Sequence, residues 1–234
     1  MKGHSISFVF PIYNELKNIE ACIYKATSLA KGWCDDYEII FVDDGSTDGS
    51  GEKIDELASK DKHIRPVHLE VNTRFGGALK KGLAIARKEV VIYTDADFSA
   101  REEDFKKAVD LLDSADIVSG YSLVTKNDGL KRILISKVYN WLVEILFGLH
   151  IRDINCGFKI YKKEVLKDLE LGSGSPFVNV EIFAEARKRN FKIAQCGVIF
   201  QVPKGKSTLS RLNIIARIFL DMFYYRFFLR RPCP

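Results

Sequence analysis

Neither the cysteines nor the histidines of this 234-residue chain form a recognisable set. The five cysteines (Cys22, Cys34, Cys156, Cys196, Cys233) are scattered, odd in number and without C-x-x-C spacing. That argues against a disulfide framework or a zinc site and suits a reducing compartment. The four histidines (His4, His63, His68, His150) stand alone. No G-x-G-x-x-G follows the first apolar run, where Pro11-Ile12-Tyr13-Asn14-Glu15 stands instead, which argues against a dinucleotide-binding domain. Gly205-Lys206-Ser207 looks like the end of a phosphate-binding loop, but the glycine required upstream would fall at Phe200. There is no G-x-S-x-G elbow, no H-E-x-x-H, no internal repeat and no low-complexity segment. Met1-Lys2-Gly3-His4 leads directly into a strand-like run, with no visible signal peptide.

What is present is ordinary in amount and uneven in placement. At 47% hydrophobic and 29% charged residues, the composition is that of a globular protein of one domain, or one domain with an appendage. The net charge of +5 is all in the tail: seven basic residues (Lys204, Lys206, Arg211, Arg217, Arg226, Arg230, Arg231) face one acid, Asp221. The 29 basic and 30 acidic residues before Lys204 nearly cancel.

Hydrophobic patterning predicts strands over 5–10, 37–42, 64–71, 90–94 and 117–120, the first stopped by Pro11. Helices are predicted over 14–32, 50–60, 76–87 and 102–112. Five such alternations are the mark of an α/β fold, a mostly parallel sheet with helices on both faces. Beyond Gly120 the pattern changes to a long apolar helix over 130–149, a strand over 157–161 and a helix over 178–189. A strand over 192–202 and a terminal helix over 209–229 complete it.

The run Val90-Val91-Ile92-Tyr93-Thr94 ends in Asp95-Ala96-Asp97. At the C-terminal end of a parallel strand, two carboxylates at i and i+2 project into the crevice where open α/β sheets bind ligands. Their mutual repulsion suits a divalent cation, and Mg²⁺ favours one or two carboxylates plus substrate phosphate oxygens. The bland alternative is helix capping, for which Asp is well suited. Two other strands end in polar clusters on the same rim, Tyr13-Asn14-Glu15 and Asp43-Asp44-Gly45-Ser46. Turn chemistry explains each cluster separately and all three together poorly. Acidic groups on a rim suit a base edge, a ribose diol and a metal.

With these residues in order, the chain resembles glycosyltransferase family 2, and within it the polyprenyl-phosphate (dolichol-phosphate) hexose synthases. The resemblance rests on Pro11-x-Tyr13-Asn14-Glu15-x-x-Asn18, Asp43-Asp44-Gly45-Ser46-x-Asp48, Asn72-x-x-x-Gly76-Gly77-Ala78-x-x-x-Gly82 and Asp95-Ala96-Asp97. Asp153-x-x-Cys156-Gly157-Phe158-Lys159, Glu181 and Gly205-Lys206-Ser207-Thr208 continue it, so that it spans nearly the whole chain.

The resemblance implies a glycosyltransferase A-type, Rossmann-like fold over 1–207, with a nucleotide-sugar half (1–121) and an acceptor half (122–207). A basic amphipathic helix over 208–234 would follow. It implies a nucleotide-diphosphosugar donor, GDP-mannose or UDP-glucose, with mannose favoured. Pro11, Tyr13 and Glu15 would border base and ribose, with Asp44, Ser46 and Ala96 beside them, and Asp43 would read the base. Asp95 and Asp97 would hold Mg²⁺ or Mn²⁺ against the diphosphate, Asp97 thereby acting in catalysis, with Lys204 or Lys206 also on the diphosphate. Arg132 and Ser136 would take the acceptor phosphate, and Asp153 would orient the sugar. Two departures stand out: Ser99 occupies a position where such synthases often carry a Gln or His ligand, and Tyr121-Ser122 replaces an expected Arg.

An acceptor phosphate is already an anion at neutral pH and needs no general base, so the enzyme must align two anionic substrates and stabilise the leaving diphosphate. One inverting displacement would give a β-linked polyprenyl-phosphate sugar. A saccharide acceptor, the rival on the same fold, needs a base, and only Asp153 and Glu181 present themselves in the second half. A non-catalytic nucleotide-sugar-binding protein is disfavoured by the intact carboxylate pair. Nucleic acid is not an expected partner, because the basic tail is interleaved with aliphatic and aromatic residues. Residues 212–229 are interrupted by Arg217, Asp221 and Arg226, charges costly inside a span. The expectation is a helix lying in the headgroup plane, with Ile214, Ile215, Ile218, Phe219 and Met222 toward lipid. The helix over 133–149, with Trp141 as an interface anchor, would lie alongside. The protein is thus expected at the cytoplasmic face, peripheral, or cut short of a membrane-spanning part.

Overall fold

The computed structural model describes residues 4–34, 36–123, 130–200 and 212–229, and the side chains of 4–34, 36–123, 133–200 and 218–227. Seven strands form one sheet in the order β3-β2-β1-β4-β6-β5-β7. They are β1 (Ile6–Ile12), β2 (Tyr37–Asp43), β3 (Ile64–His68), β4 (Val90–Thr94), β5 (Ile117–Ser122), β6 (Phe158–Lys162) and β7 (Ile193–Val198). β1 pairs in parallel with β2 and β4, β2 with β3, and β5 with β7. β6 runs antiparallel between β4 and β5. The expected mostly parallel α/β sheet is therefore present, with one reversed strand.

Alternation along β1 explains the two cores. Phe8 and Phe10 point to one face, with Phe41, Phe98, Phe105 and Phe158, under α1 (Ile19–Trp33) and α4 (Glu102–Asp110). Val9 points to the other, where Ile40 and Val42 meet α3 (Arg74–Ile85), α5 (Leu130–Phe147), α7 (Val178–Lys188) and α8 (Leu212–Tyr224). Gly82 of α3 lies against β1: a Cβ there would sit 2.4 Å from Val9 Cγ1, so only glycine lets the helix approach so closely.

Several boundaries depart from the sequence-based expectation for identifiable reasons. Pro11 does not stop β1, which continues to Ile12. Past Val9 the strand has no β4 partner, so a residue without an N–H costs no ladder bond there. α1 starts at Ile19 rather than at 14, because the backbone N–H groups of Asn14, Glu15 and Leu16 are claimed by Ser46, Ser50 and Asp48. Asn14 takes a positive φ of 58° to make that turn. β3 ends at His68, and β7 ends at Val198 with one isolated antiparallel bridge beyond it, Phe200 to Ala100. α2 (Ser50–Ala58) matches its expected start, and the one-turn α6 (Lys163–Leu166) was not anticipated. Cys22, Cys156 and Cys196 are buried thiols outside any disulfide, as their spacing implied.

The C-terminal helix corrects the expected lipid-facing side. Ile218 and Met222 are buried, and Phe219 packs edge-on to Tyr139 of α5 at 6.3 Å. The charges that were to face water are tied to protein instead: Asp221 accepts the Ser173 hydroxyl at 2.7 Å, and Arg226 donates to the Leu146 carbonyl at 3.2 Å. The exposed residues of the C-terminal helical segment are Leu220, Phe223, Tyr224 and Phe227, and α5 carries an exposed stripe of Leu134, Val138, Trp141 and Ile145. Ile214, Ile215 and Arg217 have side chains outside the described residues. Among the described residues no helix is long and apolar enough to cross a membrane.

Candidate active site

The ends of β1, β2 and β4 lie side by side on one rim, because β1 pairs in parallel register with both neighbours. Just past β4, Asp95 is exposed to solvent although protein atoms crowd around its carboxyl. Asp97, two residues on, is exposed. Ala96 between them is buried, its methyl in the core and its carbonyl accepting the Cys22 thiol, so any donor contact there falls to its backbone.

Each aspartate is oriented by the protein. Tyr93 donates its hydroxyl to Asp95 Oδ1 at 2.7 Å, and the Ser99 amide donates to Asp97 Oδ1 at 3.2 Å. The remaining oxygen of each accepts no hydrogen bond among the described residues. Asp95 Oδ2 rests against Gly157, where an added Cβ would sit 2.0 Å away. The Asp95 amide donates to the Gly157 carbonyl at 3.2 Å, which locks the carboxylate between β4 and the turn entering β6. Burial, opposed by the Tyr93 hydrogen bond and reinforced by the charge of Asp97, holds the Asp95 carboxyl above its ordinary range. A carboxylate so penalised, with a second beside it and one open oxygen on each, is a donor set that a divalent cation would relieve. Among the described residues no group of three or more His, Cys, Asp and Glu side chains gathers into a metal cage. Two carboxylates completed by water and substrate oxygens therefore fit Mg²⁺ or Mn²⁺ better than zinc. Ser99 serves as a backbone donor to Asp97.

Behind Asp95 lies Lys159, fully buried. Its ammonium donates to the Cys156 carbonyl and stands 5.5 Å from the centre of the Tyr93 ring. Burial lowers its pKa, while nearby negative groups, Asp153 and Asp95 among them, oppose the fall. The half-buried Asp153 and Asp95 thus both act on the Lys159 ammonium.

From β1, Glu15 reaches the same region. Its carboxyl is raised by burial, held back by the Asn18 amide, and raised again by Asp97, Asp95 and Asp48. The Tyr13 ring is half exposed on the rim. From β2, Asp43 Oδ1 accepts the Ser46 amide at 2.9 Å, and Oδ2 faces His68 Nδ1 at 3.2 Å. Asp44 is buried as Asp43 is, with Oδ1 accepting the Thr73 amide at 2.6 Å and hydroxyl at 2.7 Å, a brace from the end of β2 to the start of α3.

In the acceptor half, Ser136 of α5 lies by the Asp153 loop, because Asn140 bonds both Ser136 Oγ and the Arg152 carbonyl. The Arg132 side chain, Lys204 and Lys206 lie outside the described residues. Glu181 is not an open carboxylate: it is buried and accepts the amides of Gly172 and Ser173 at 3.0–3.1 Å. That loop supports α3, where Gly76 donates to the Gly174 carbonyl at 3.0 Å. The sequence did not single out Tyr93 or His68. Their partners are fixed by register and by a neighbouring strand, and neither leaves a spacing signal.

The model of glycosyl transferase family 2 matches residues 7–170, which takes in the whole rim. The chain belongs to that family. It is 28% identical over 224 residues to polyprenol monophosphomannose synthase of Mycolicibacterium smegmatis, covering 90% of this chain and 83% of that protein. Glycosyltransferase AglD of Haloferax volcanii is 28% identical over 222 residues, with 91% of this chain matched to 35% of that one. The undecaprenyl-phosphate 4-deoxy-4-formamido-L-arabinose transferase of Pectobacterium atrosepticum is 31% identical over 186 residues, 79% of this chain and 57% of its own. The chain therefore spans about a third to four-fifths of the length of these relatives. Its fold is that of glucosyl-3-phosphoglycerate synthase from Mycobacterium tuberculosis, a structure determined with Mn²⁺, UDP and phosphoglyceric acid. The TM-score is 0.73 at 22% identity, covering 96% of this chain and 78% of the other.

Proposed function

We propose that this family 2 member is an inverting hexosyltransferase that moves a sugar, mannose from GDP-mannose in the first instance, onto a polyprenyl or dolichyl phosphate. UDP-glucose is the alternative donor. Support comes above all from the rim: Glu15, Asp95 and Asp97 follow two different strands yet interact electrostatically, with both aspartates exposed to solvent. Relatives named for transfer to polyprenol and undecaprenyl phosphates support the acceptor class.

Pro11, Tyr13 and Glu15 border the base and ribose, with Asp43 and Ser46 beyond them, while Asp44 braces the site through Thr73. Asp95 and Asp97 hold Mg²⁺ or Mn²⁺, which when bound neutralises charge on the departing nucleoside diphosphate. Arg132 and Ser136 hold the acceptor phosphate in line with the anomeric carbon. Lys204 or Lys206 meets the diphosphate, on the segment that follows the Phe200 bridge to Ala100, three residues past Asp97. The acceptor oxygen forms the new glycosidic bond as the bond to the diphosphate breaks, and no proton need be removed. Asp153 orients the sugar. Glu181, committed to two backbone amides, is poorly placed as the base a saccharide acceptor requires.

α5, α8 and the helical turn that follows α8 expose eight large apolar side chains, with aromatic Trp141, Phe223, Tyr224 and Phe227 among them. The seven basic residues from Lys204 onward add the charge that anionic lipid attracts. This face suits peripheral attachment at the cytoplasmic side of a membrane, where a lipid-linked acceptor lies. The catalytic unit is assigned to 1–207 and the membrane helix to 208–234.

The test is transfer of radiolabelled sugar from GDP-mannose and UDP-glucose to a short polyprenyl phosphate with Mg²⁺, Mn²⁺ or EDTA. The Asp97→Ala protein runs alongside. Metal-dependent lipid product from one donor, absent in the variant, is expected. Nucleotide binding without lipid product overturns the acceptor assignment in favour of a saccharide.

A further inference from the structure

Strand β6 carries a lysine where its alternation calls for an apolar side chain. Phe158 and Ile160 enter one core, and Tyr161 enters the other, on the face that Lys159 shares. Lys159 is fully buried, yet among the described residues its Nζ makes a single hydrogen bond, to the Cys156 carbonyl. Burying a polar end so thinly satisfied costs stability that an apolar chain of equal length would not. Packing alone thus gives no reason for a lysine here, and its neighbours supply one.

Lys159 touches both of the groups that aim Asp95. The first is Tyr93, whose hydroxyl donates to Asp95 Oδ1 at 2.7 Å. Antiparallel register sets Tyr93 opposite Lys159, and Nζ stands 5.5 Å from the centre of its ring. The second is the turn entering β6. The carbonyl that Lys159 holds belongs to the peptide bond into Gly157. Asp95 Oδ2 rests on that glycine, where a Cβ would sit 2.0 Å away, and the Gly157 carbonyl takes the Asp95 amide at 3.2 Å. A rotation of the Cys156–Gly157 peptide would therefore move the surface on which the carboxylate lies. The other end of the turn closes on itself, the Cys156 amide donating to the Asp153 carbonyl at 3.1 Å, and Lys159 ties it back to the strand.

We propose that Lys159 is a positioning residue for the metal-holding Asp95, fixing the Cys156–Gly157 turn and the Tyr93 ring so that Asp95 keeps the orientation in which one oxygen is left for a cation. The proposal rests on the reading of Asp95 as a metal ligand. An amine and an ammonium both donate a hydrogen bond, so the role holds in either protonation state. Groups that orient a ligating side chain typically change metal affinity about ten- to a hundredfold when replaced.

The experiment measures binding of UDP and GDP to the whole chain by calorimetry over a Mn²⁺ series, from EDTA to saturation. The quantity read is the Mn²⁺ concentration that half-restores nucleotide binding. Native protein is compared with Lys159→Met, Lys159→Gln and Asp95→Asn, each checked for fold by circular dichroism. Arg65→Ala, which breaks the ion pair with Glu38, is the control for lost stability. Lys159→Met keeps the chain length and loses the hydrogen bond. It is expected to raise the half-point about ten- to a hundredfold and to regain native nucleotide affinity at saturating Mn²⁺. Asp95→Asn should raise the half-point at least as far, and Arg65→Ala should leave it native. A native half-point in Lys159→Met overturns the proposal. So does an affinity lowered equally at every Mn²⁺ concentration, or a half-point that Arg65→Ala moves as far, because either reports general damage to the fold. If Asp95→Asn keeps the native half-point, or neither nucleotide binds native protein, the metal or donor reading itself fails and the proposal with it. Should Lys159→Met not fold, Lys159→Gln decides: its amide ends one bond short of the lysine Nζ, and a native half-point there overturns the role.

Discussion

Gly157→Ala places the smallest possible perturbation against the carboxylate pair. The new Cβ would stand 2.0 Å from Asp95 Oδ2 and 2.5 Å from its Cγ, where real Cβ contacts lie well beyond 3 Å. Relief requires a shift of an ångström or more. The Asp95 amide is bonded to the Gly157 carbonyl, so the backbones resist separation and the side chain must swing, breaking its bond from Tyr93. Overpacking of this kind costs about 1–3 kcal/mol, which for a chain of this size lowers Tm by roughly 2–12 °C. Misplacing a metal-holding group by about 1 Å costs on the order of a hundredfold in turnover. The expected result is a folded protein with turnover down about a hundredfold and a raised Mn²⁺ requirement, read by labelled-sugar transfer over a metal titration. Gly120→Ala is the control: its Cβ meets the Phe158 ring at 2.9 Å, so it should cost stability without altering metal requirement. Native turnover and metal dependence in Gly157→Ala would falsify the placement of the metal at Asp95.

Because burial and the charge of Asp97 hold the Asp95 carboxyl above 3.8, protons should compete with the metal at a pH above the ordinary Asp range. Metal-dependent activity is expected to fall with acid through that raised value, and added Mn²⁺ to push the acid limb lower; a limb indifferent to Mn²⁺ counts against Asp95 as ligand. Arg65→Ala should destabilise the fold by about 2–3 kcal/mol in urea unfolding, because Glu38, buried at 4% exposure, loses its cation and keeps only the Ser7 hydroxyl and the Arg87 amide. Unchanged stability would mean that those two donors suffice. Trp141→Glu with Phe223→Glu should abolish cosedimentation with anionic vesicles while leaving Tm within a few degrees, since both side chains are exposed; retained cosedimentation rejects the apolar face as the membrane contact.

The order of strands and helices, the run ending at Asp95 and the family resemblance were legible in the residues alone, because local periodicity and strand-end polarity are written in neighbouring positions. So was the convergence of the Glu15, Asp43 and Asp97 segments, which follows from parallel pairing. The sequence could not tell that Asp43 and Asp44 are both buried, Asp43 bonded to Ser46 and His68 and Asp44 to Thr73, since side-chain partners at a strand end depend on what the neighbouring elements present. It misassigned the faces of α8, because hydrophobicity says that a side is buried and not whether protein or lipid buries it. Glu181 read as a candidate base until the Gly172–Ser173 amides were seen to occupy it. The Tyr93–Asp95–Gly157 lock and the Asp43–His68–Asp55 clamp join residues from neighbouring strands and from the turn and helix packed against them. Such contacts are set by sheet register and helix packing, long-range terms that no local stretch of the chain encodes.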